Sequence, residues 1–323
     1  MKKHNYLNNK DILKEIHKSK LSYCSFTDPS MSTYDIIIPF TGLSADDSIN
    51  EALRQSLDLD VNVNLDSEID DPRPLLIALS NRQIRLAKEA QEAELLLGVK
   101  RKIDEFMIPL SEIPVTDLVF RVMCWDHIPI DELKQQKADA KAQADYITEG
   151  QGDDDILSED TDFIDQIKGV AKYIKINFPP FYHFKVTEDL TPYCVGKSHW
   201  KGDLEIGEFS KTHGQMTNTL ATMFMKLCER YATRSNWRGY TYNDEMRSQA
   251  LLQLSQIGLQ FDESKSQNPF AYYTAAITNS FTRVLNIEKR NQAIRDDILE
   301  MNNFNPSYTR QNEWASNKWG SDE

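Results

Sequence analysis

The chain is poor in the residues that commit a protein to several common designs. Four cysteines scattered through 323 residues do not make a disulfide framework, so a reducing cytoplasm is the expected setting. No run approaches the roughly 18 consecutive apolar residues of a membrane span. The start, Met1-Lys-Lys-His-Asn-Tyr, has no apolar core behind its lysines and does not read as a secretory signal. There is no phosphate-cradling glycine loop, no His-Glu-x-x-His, no nucleophile elbow and no internal repeat. The common phosphate-binding, zinc-protease and serine-hydrolase signatures are therefore absent.

Acidity is plentiful but unevenly placed. The formal charge is −13, from 37 Lys+Arg against 50 Asp+Glu. Residues 1–35 and 166–323 are each net +2, while residues 36–165 carry −17. An acidic chain taken whole is a poor match for nucleic acid. Taken by segment, the asymmetry points either to modules with different partners or to a solvated, partly disordered insert.

Local signals give a coarse map. Asn9 is placed to cap a helix running to about Lys20, with Ile12, Leu13 and Ile16 on one face. Ile36-Ile37-Ile38 is a short β-branched run. A long helix is expected over about 81–106, where Ala, Leu, Glu and Lys dominate. Val119–Met123 fits a strand or a buried helical turn. Gly150–Asp162 is acidic and turn-rich, the best linker candidate. Residues 176–210 hold Pro179-Pro180 and many aromatics, which suggests irregular or β-rich structure. Helices are then expected at about 215–234, 242–259, 268–288 and 290–301, followed by a polar tail. The domain reading is an N-terminal helical segment (1–25), an acidic insertion of unknown fold (26–175), a connector (176–214), a helical domain (215–301) and a flexible tail (302–323). The fold class is mainly α.

Metal signals are loose. Cys124 with His127 and Cys194 with His199 have zinc-compatible side chains, but about 70 residues part the two pairs. Asp153-Asp154-Asp155 offers hard oxygens that more commonly form a solvated face. Cys228 shares an apolar register with Met223, Leu227 and Tyr231, as a packed thiol does. No cofactor and no metal is expected.

The carboxy-terminal third is more informative. Glu245, Gln249, Gln253 and Gln256 give one helix a polar, nearly uncharged face, which suits solvent or a protein contact equally. After Asn268-Pro269, a good helix start, the next helix carries Tyr272, Tyr273, Asn279, Thr282 and Arg283 beside an apolar register of Ile277, Phe281 and Leu285. Aromatic faces stack on unpaired bases, Asn and Thr hydrogen-bond base edges, and Arg and Lys hold phosphates. The same pattern also describes a core helix with polar decoration.

Residues 215–300 resemble region 2 of bacterial sigma factors. More narrowly, they are similar to the sigma-like late-transcription factors of T-even-type tailed phages and their cyanophage relatives. The resemblance is carried by Gly239-Tyr-Thr-Tyr-Asn-Asp-Glu-Met, Gly258-Leu-Gln-Phe-Asp-Glu-Ser-Lys, Asn268-Pro-Phe-Ala-Tyr-Tyr, Ile287-Glu-Lys-Arg and Gln292-Ala-Ile. It extends to the start, Asn5-Tyr-Leu-Asn-Asn-Lys-Asp-Ile-Leu. These blocks span about a third of the chain.

The resemblance implies a sigma region 2-like helical bundle and a non-catalytic role in transcription initiation, in the cytoplasm of an infected bacterial host. It assigns Glu245, Gln249, Leu252, Gln253 and Gln256 to the clamp helices of the largest subunit of host RNA polymerase core. It assigns Tyr272 to a flipped base of a −10-type AT-rich element, with Tyr273 beside it. Asn279 and Thr282 fall where such factors read bases, and Arg283, Lys289 and Arg290 where they track the backbone. Two departures accompany it. The paired tryptophans that wedge the melting duplex in primary sigma factors correspond here to Ala275 and Ala276. No helix-turn-helix follows Leu299, so no −35 element would be read. In the phage family a sliding clamp, alongside a separate co-activator, activates through a short tail. Here that tail contains Trp314 and Trp319, which are not on one helical face. Two rival readings are a polymerase-binding co-activator or inhibitor without promoter recognition, and a zinc-holding enzyme acting on nucleic acid.

Overall fold

The computed structural model describes residues 7–57, 73–135, 138 and 176–312. The expected linker around 150–162 lies outside these residues. The described chain is mainly helical with a small mixed sheet. It divides into two compact units, one drawn from Met1–Ile16, Thr217–Phe261 and Gln267–Glu323, the other from His17–Met216 and Asp262–Ser266. Among the described residues no helix is long and apolar enough to cross a membrane.

In the sheet unit, the strands are β1 (Cys24–Phe26), β2 (Ile36–Ile38), β3 (Phe120–Met123), β4 (Phe181–Val186) and β5 (Pro192–Ser198). They lie in the order β1-β5-β4-β3-β2, with β2 and β3 parallel and the other pairs antiparallel. A small hairpin, β6 (Trp200–Lys201) with β7 (Glu208–Phe209), follows. Alternation along the strands sorts the two faces. Phe120 and Val122 of β3, with Tyr182, Phe184 and Val186 of β4, form one core with Ile49, Ala52 and Leu53 of α2 (Ala45–Leu57) and Ala78 of α3 (Pro74–Leu96).

This arrangement differs from the expected insertion and connector. Residues from 26–175 and from 176–214 share one sheet, because β3 pairs with β4 across the sequence between them. The long helix also shifts. It starts at Pro74, whose ring suits the first helical turn, and ends before Gly98. Gly98 takes φ +81° and donates its N–H to Leu95 while Val99 donates to Glu94, a left-handed stop that glycine adopts at little cost.

The other side of β3 and β4 holds buried charge. Arg121 is fully buried, its guanidinium 3.9 Å from the Tyr34 ring centre and 4.0 Å from that of Phe181. Its Nε donates to His183 Nε2 at 3.0 Å, and the His183 Nδ1 lies 2.7 Å from the Met31 carbonyl. That pairing fixes the neutral tautomer with its proton on Nδ1. Glu263 Oε2 lies 3.3 Å from Arg121 and 3.2 Å from the buried Lys20 ammonium. Burial pushes the Glu263 carboxyl up, but Lys20 and Arg121 pull it further down, so it sits below its usual range. Cation–π contact, the hydrogen bond to His183 and the ion pair with Glu263 together offset the cost of desolvating the guanidinium.

In the helical unit, α4 (Asn218–Ala232), α5 (Asn243–Ile257) and α6 (Pro269–Met301) pack with the start of α1 (Asn9–Leu21). Thr217 caps α4 by accepting from Leu220 N. Asn268 caps α6 by accepting from Ala271 N, and Asn9 Oδ1 accepts from Phe270 N at 3.0 Å. The two helices expected at 268–288 and 290–301 are one, since no glycine or proline interrupts 270–301. Its 33 residues give a rod about 50 Å long.

Two outcomes follow for the sheet unit. Glu263→Gln leaves Arg121 and Lys20 without their buried counter-charge and should cost about 3 kcal/mol in urea unfolding. The pH response should run toward acid instability. Burial holds His17 and His127 down to about 4 and His199 down to about 3, and depresses His183 as well. Below the model-peptide histidine pKa of 6.5, the unfolded chain takes up protons that the native state refuses. Stability is therefore full above about 6.5 and falls as pH drops toward 4, by up to about 1.4 kcal/mol per pH unit per histidine. Urea midpoints at pH 7, 6 and 5 measure this, and a flat profile would contradict it.

Candidate functional site

The site is built on α5 and α6. Met246, Ala250 and Leu254 bury one stripe of α5, and Tyr273, Ile277, Phe281 and Val284 bury one stripe of α6. Phe281 meets Tyr231 and Trp237 edge-on, at 5.3 and 5.4 Å between ring centres. Asn243 Nδ2 donates to Ala232 and Trp237 carbonyls, which pins the turn entering α5. These contacts fix the rotation of each helix about its own axis and so decide which side chains face out.

On α5 the outward face carries Glu245, Gln249, Leu252 and Gln256, all exposed, with Gln253 half-buried beside them. At 100° per residue these five fall within about one third of the circumference. Gln249 Nε2 donates to Glu245 Oε1 at 2.9 Å. Leu252 stands 54% exposed at one edge of that polar face, an apolar spot beside the amides.

On α6 the outward face carries Asn279, Thr282, Arg283, Lys289 and Arg290, all exposed. Tyr272, half-buried, begins the same stripe, with its ring 5.6 Å from Phe261 and 5.2 Å from Tyr273. Burial pushes its phenol up to about 12, so it stays protonated. From Tyr272 to Arg290 the stripe runs about 27 Å along the helix. Asn286, also exposed, falls inside it. Sequence reasoning passed over Asn286 although its spacing of seven from Asn279 was there to be used.

Tyr273 departs from the expectation of a DNA-facing ring. It is fully buried, packs edge-on against Phe224 at 4.8 Å, and its hydroxyl donates to the Gly258 carbonyl at 2.5 Å. One residue past Tyr272 is a 100° rotation, enough to turn a side chain from surface to core. Trp314 and Trp319 lie outside the described residues.

The alternative zinc pairs do not converge. Among the described residues no group of three or more His, Cys, Asp or Glu side chains is arranged to hold a metal ion. The Cys124 thiol donates to the Leu43 carbonyl, His127 Nε2 lies 2.7 Å from the Ser198 carbonyl, and the His199 ring packs at a tilt against Phe178, 4.1 Å between ring centres. Burial pushes the Cys124 thiol up to about 12, away from the thiolate a metal needs. Asp153-Asp154-Asp155 lies outside the described residues.

No known protein family, curated protein or solved structure matches the chain. The site is therefore argued on its own residues.

Its geometry depends on a close approach at Gly258. A Cβ there would sit 2.5 Å from Phe224 Cε2 and 2.7 Å from the Leu254 carbonyl, and the same glycine receives the Tyr273 hydroxyl. Gly258→Ala should destabilise the helical unit by about 1–3 kcal/mol, read as a lower urea midpoint with the far-ultraviolet helical signal retained before the transition. An unchanged midpoint would show that α4, α5 and α6 do not pack this closely.

Proposed function

We propose that the chain is a sigma-like initiation factor that directs RNA polymerase core to a short AT-rich −10-type promoter element, in the cytoplasm of a phage-infected bacterium. The polymerase performs the chemistry and this chain supplies recognition. The observation that carries the reading is the pair of outward faces on α5 and α6. One is nearly uncharged and amide-rich with an exposed leucine at its edge, and the other lines up an aromatic, base-reading amides and hydroxyls, and arginine and lysine along one rod.

The division of labour follows from side-chain chemistry. The α5 face has the composition of a protein contact, with Leu252 as an exposed apolar anchor and Glu245, Gln249, Gln253 and Gln256 beside it as hydrogen-bonding groups. In this reading it meets the clamp helices of the polymerase largest subunit. On α6, Tyr272 stacks on an unpaired base, Asn279 and Thr282 read base edges, and Arg283, Lys289 and Arg290 neutralise phosphates. With Ala275 and Ala276 at the expected wedge positions, and Tyr273 in the core, melting leans on Tyr272 and on the polymerase itself. A sliding clamp and a co-activator remain the proposed source of activation.

Acidity supports the same reading. Phosphate binding is a salt-sensitive electrostatic term, and the −17 carried by residues 36–165 opposes it until polymerase supplies the missing affinity. That stretch cannot be excised as a block, because β2 and β3 lie within it.

Core-dependent run-off transcription on an AT-rich −10-type template tests the reading. Gln249→Ala with Gln253→Ala should weaken core binding. Asn279→Ala should relax sequence choice, by about 1–3 kcal/mol at one position, with core binding intact. Core binding without run-off product would instead favour a co-activator or inhibitor, and loss of core binding by Asn279→Ala would reverse the assignment of the two faces.

A further inference from the structure

The second half of α6 carries an apolar seam that the helical core does not use. Ile287, Ile294, Ile298 and Met301 are 43%, 47%, 54% and 83% exposed. Their spacing of seven, four and three residues places them within about 60° of one another. The chain after the helix folds back along a different flank. Ser307 bonds to Asp296 and Gln292, and Arg310 pairs with Asp297 and Glu300. Among the described residues none covers the seam.

Charge is distributed along this half-helix with opposite signs at its two ends. Residues 283–290 hold three basic side chains and one acidic, and residues 295–301 hold three acidic and one basic. With Arg310 counted against it, the second end still keeps an excess of acid. A segment of this kind is complementary to itself when reversed, whereas parallel pairing would set like charges side by side.

We propose that this seam pairs antiparallel with the same segment of a second copy of the chain, about a two-fold axis at Ile294. In that register Ile294 meets its own counterpart and Ile287 lies opposite the second copy's Met301. Ile298 lies at the level of the second copy's Arg290, whose aliphatic stem can cover it, and the Arg290 backbone is within one residue's rise, about 1.5 Å, of the level of Asp297. The contact is isologous and closes as a dimer. Where the DNA-reading role of Arg290 holds, self-association and DNA compete for that side chain. The pairing itself does not rest on that reading.

Sedimentation of the full chain without DNA or polymerase, from about 1 to about 100 μM, is the test. A concentration-dependent dimer is expected, weakened about tenfold or more by Ile294→Asp. Ile206→Asp, at an 89% exposed position of the sheet unit, should leave it unchanged. Ile294→Cys should give a disulfide-linked dimer on mild oxidation, faster than Ile206→Cys. Arg290→Asp and Asp297→Arg should each weaken the dimer, and the two together in one chain should restore it. A chain that stays monomeric throughout, a dimer indifferent to Ile294→Asp, or failure of the double charge reversal to restore association would overturn the proposal. Promoter-specific transcription by the unsubstituted chain tests the initiation-factor reading alone, whereas association is read without DNA or polymerase.

Discussion

The Arg121 guanidinium has no route to water, and the sheet unit is organised around satisfying it. A buried cation is tolerable only when its charge is countered and its N–H groups are bonded. Here the rings of Tyr34 and Phe181 cover it, His183 accepts from Nε, and Glu263 supplies the counter-charge. The partners come from three separate stretches of sequence, Phe181 and His183 sharing β4. The strand β3 that carries Arg121 is thereby committed to one register. Phe120 and Val122 must turn to the helices if Arg121 turns to the ring pair, and β4 follows through its pairing with β3.

The helical unit answers to a different constraint, the volume at Gly258. Absence of a side chain there admits Phe224 and leaves the carbonyl open to Tyr273. Once Tyr273 is anchored, the rotation of α6 is set, and every outward residue for the next turns is decided by the 3.6-residue period. Recognition chemistry on the outside is thus positioned by a hydrogen bond on the inside.

Much of this was legible in the sequence and some was not. The start at Pro269 and the apolar registers of α5 and α6 followed from local rules, because caps and periodicity act over one or two turns; the cap of α1 fell one residue earlier than expected, on Asn8, whose Oδ1 accepts from Asp11 N at 2.7 Å, while Asn9 Oδ1 serves α6. Phe120–Met123 was ambiguous between strand and helix, since a short buried run carries no period of its own. Arg121 and Glu263 are 142 residues apart, and no local signal joins them. Tyr273 was misjudged because two adjacent tyrosines invite the same role while a helix turns them 100° apart. The sheet that joins strands inside the acidic stretch to strands on either side of it was invisible for the same reason as the Arg121 contacts: strand pairing is specified by partners, not by neighbours in sequence.

The N–H of Phe270, in the first turn of α6, is capped by Asn9, across 261 residues of sequence. On a ribosome adding about 5–20 residues per second, roughly 13–50 s separate the synthesis of these two partners. Throughout that interval the apolar face of α1, with Ile12 and Ile16, has emerged without the helices it is buried with. The unit assembled from both ends of the chain is therefore the last to complete, and its earliest segment is the one that waits exposed to chaperones and proteases the longest.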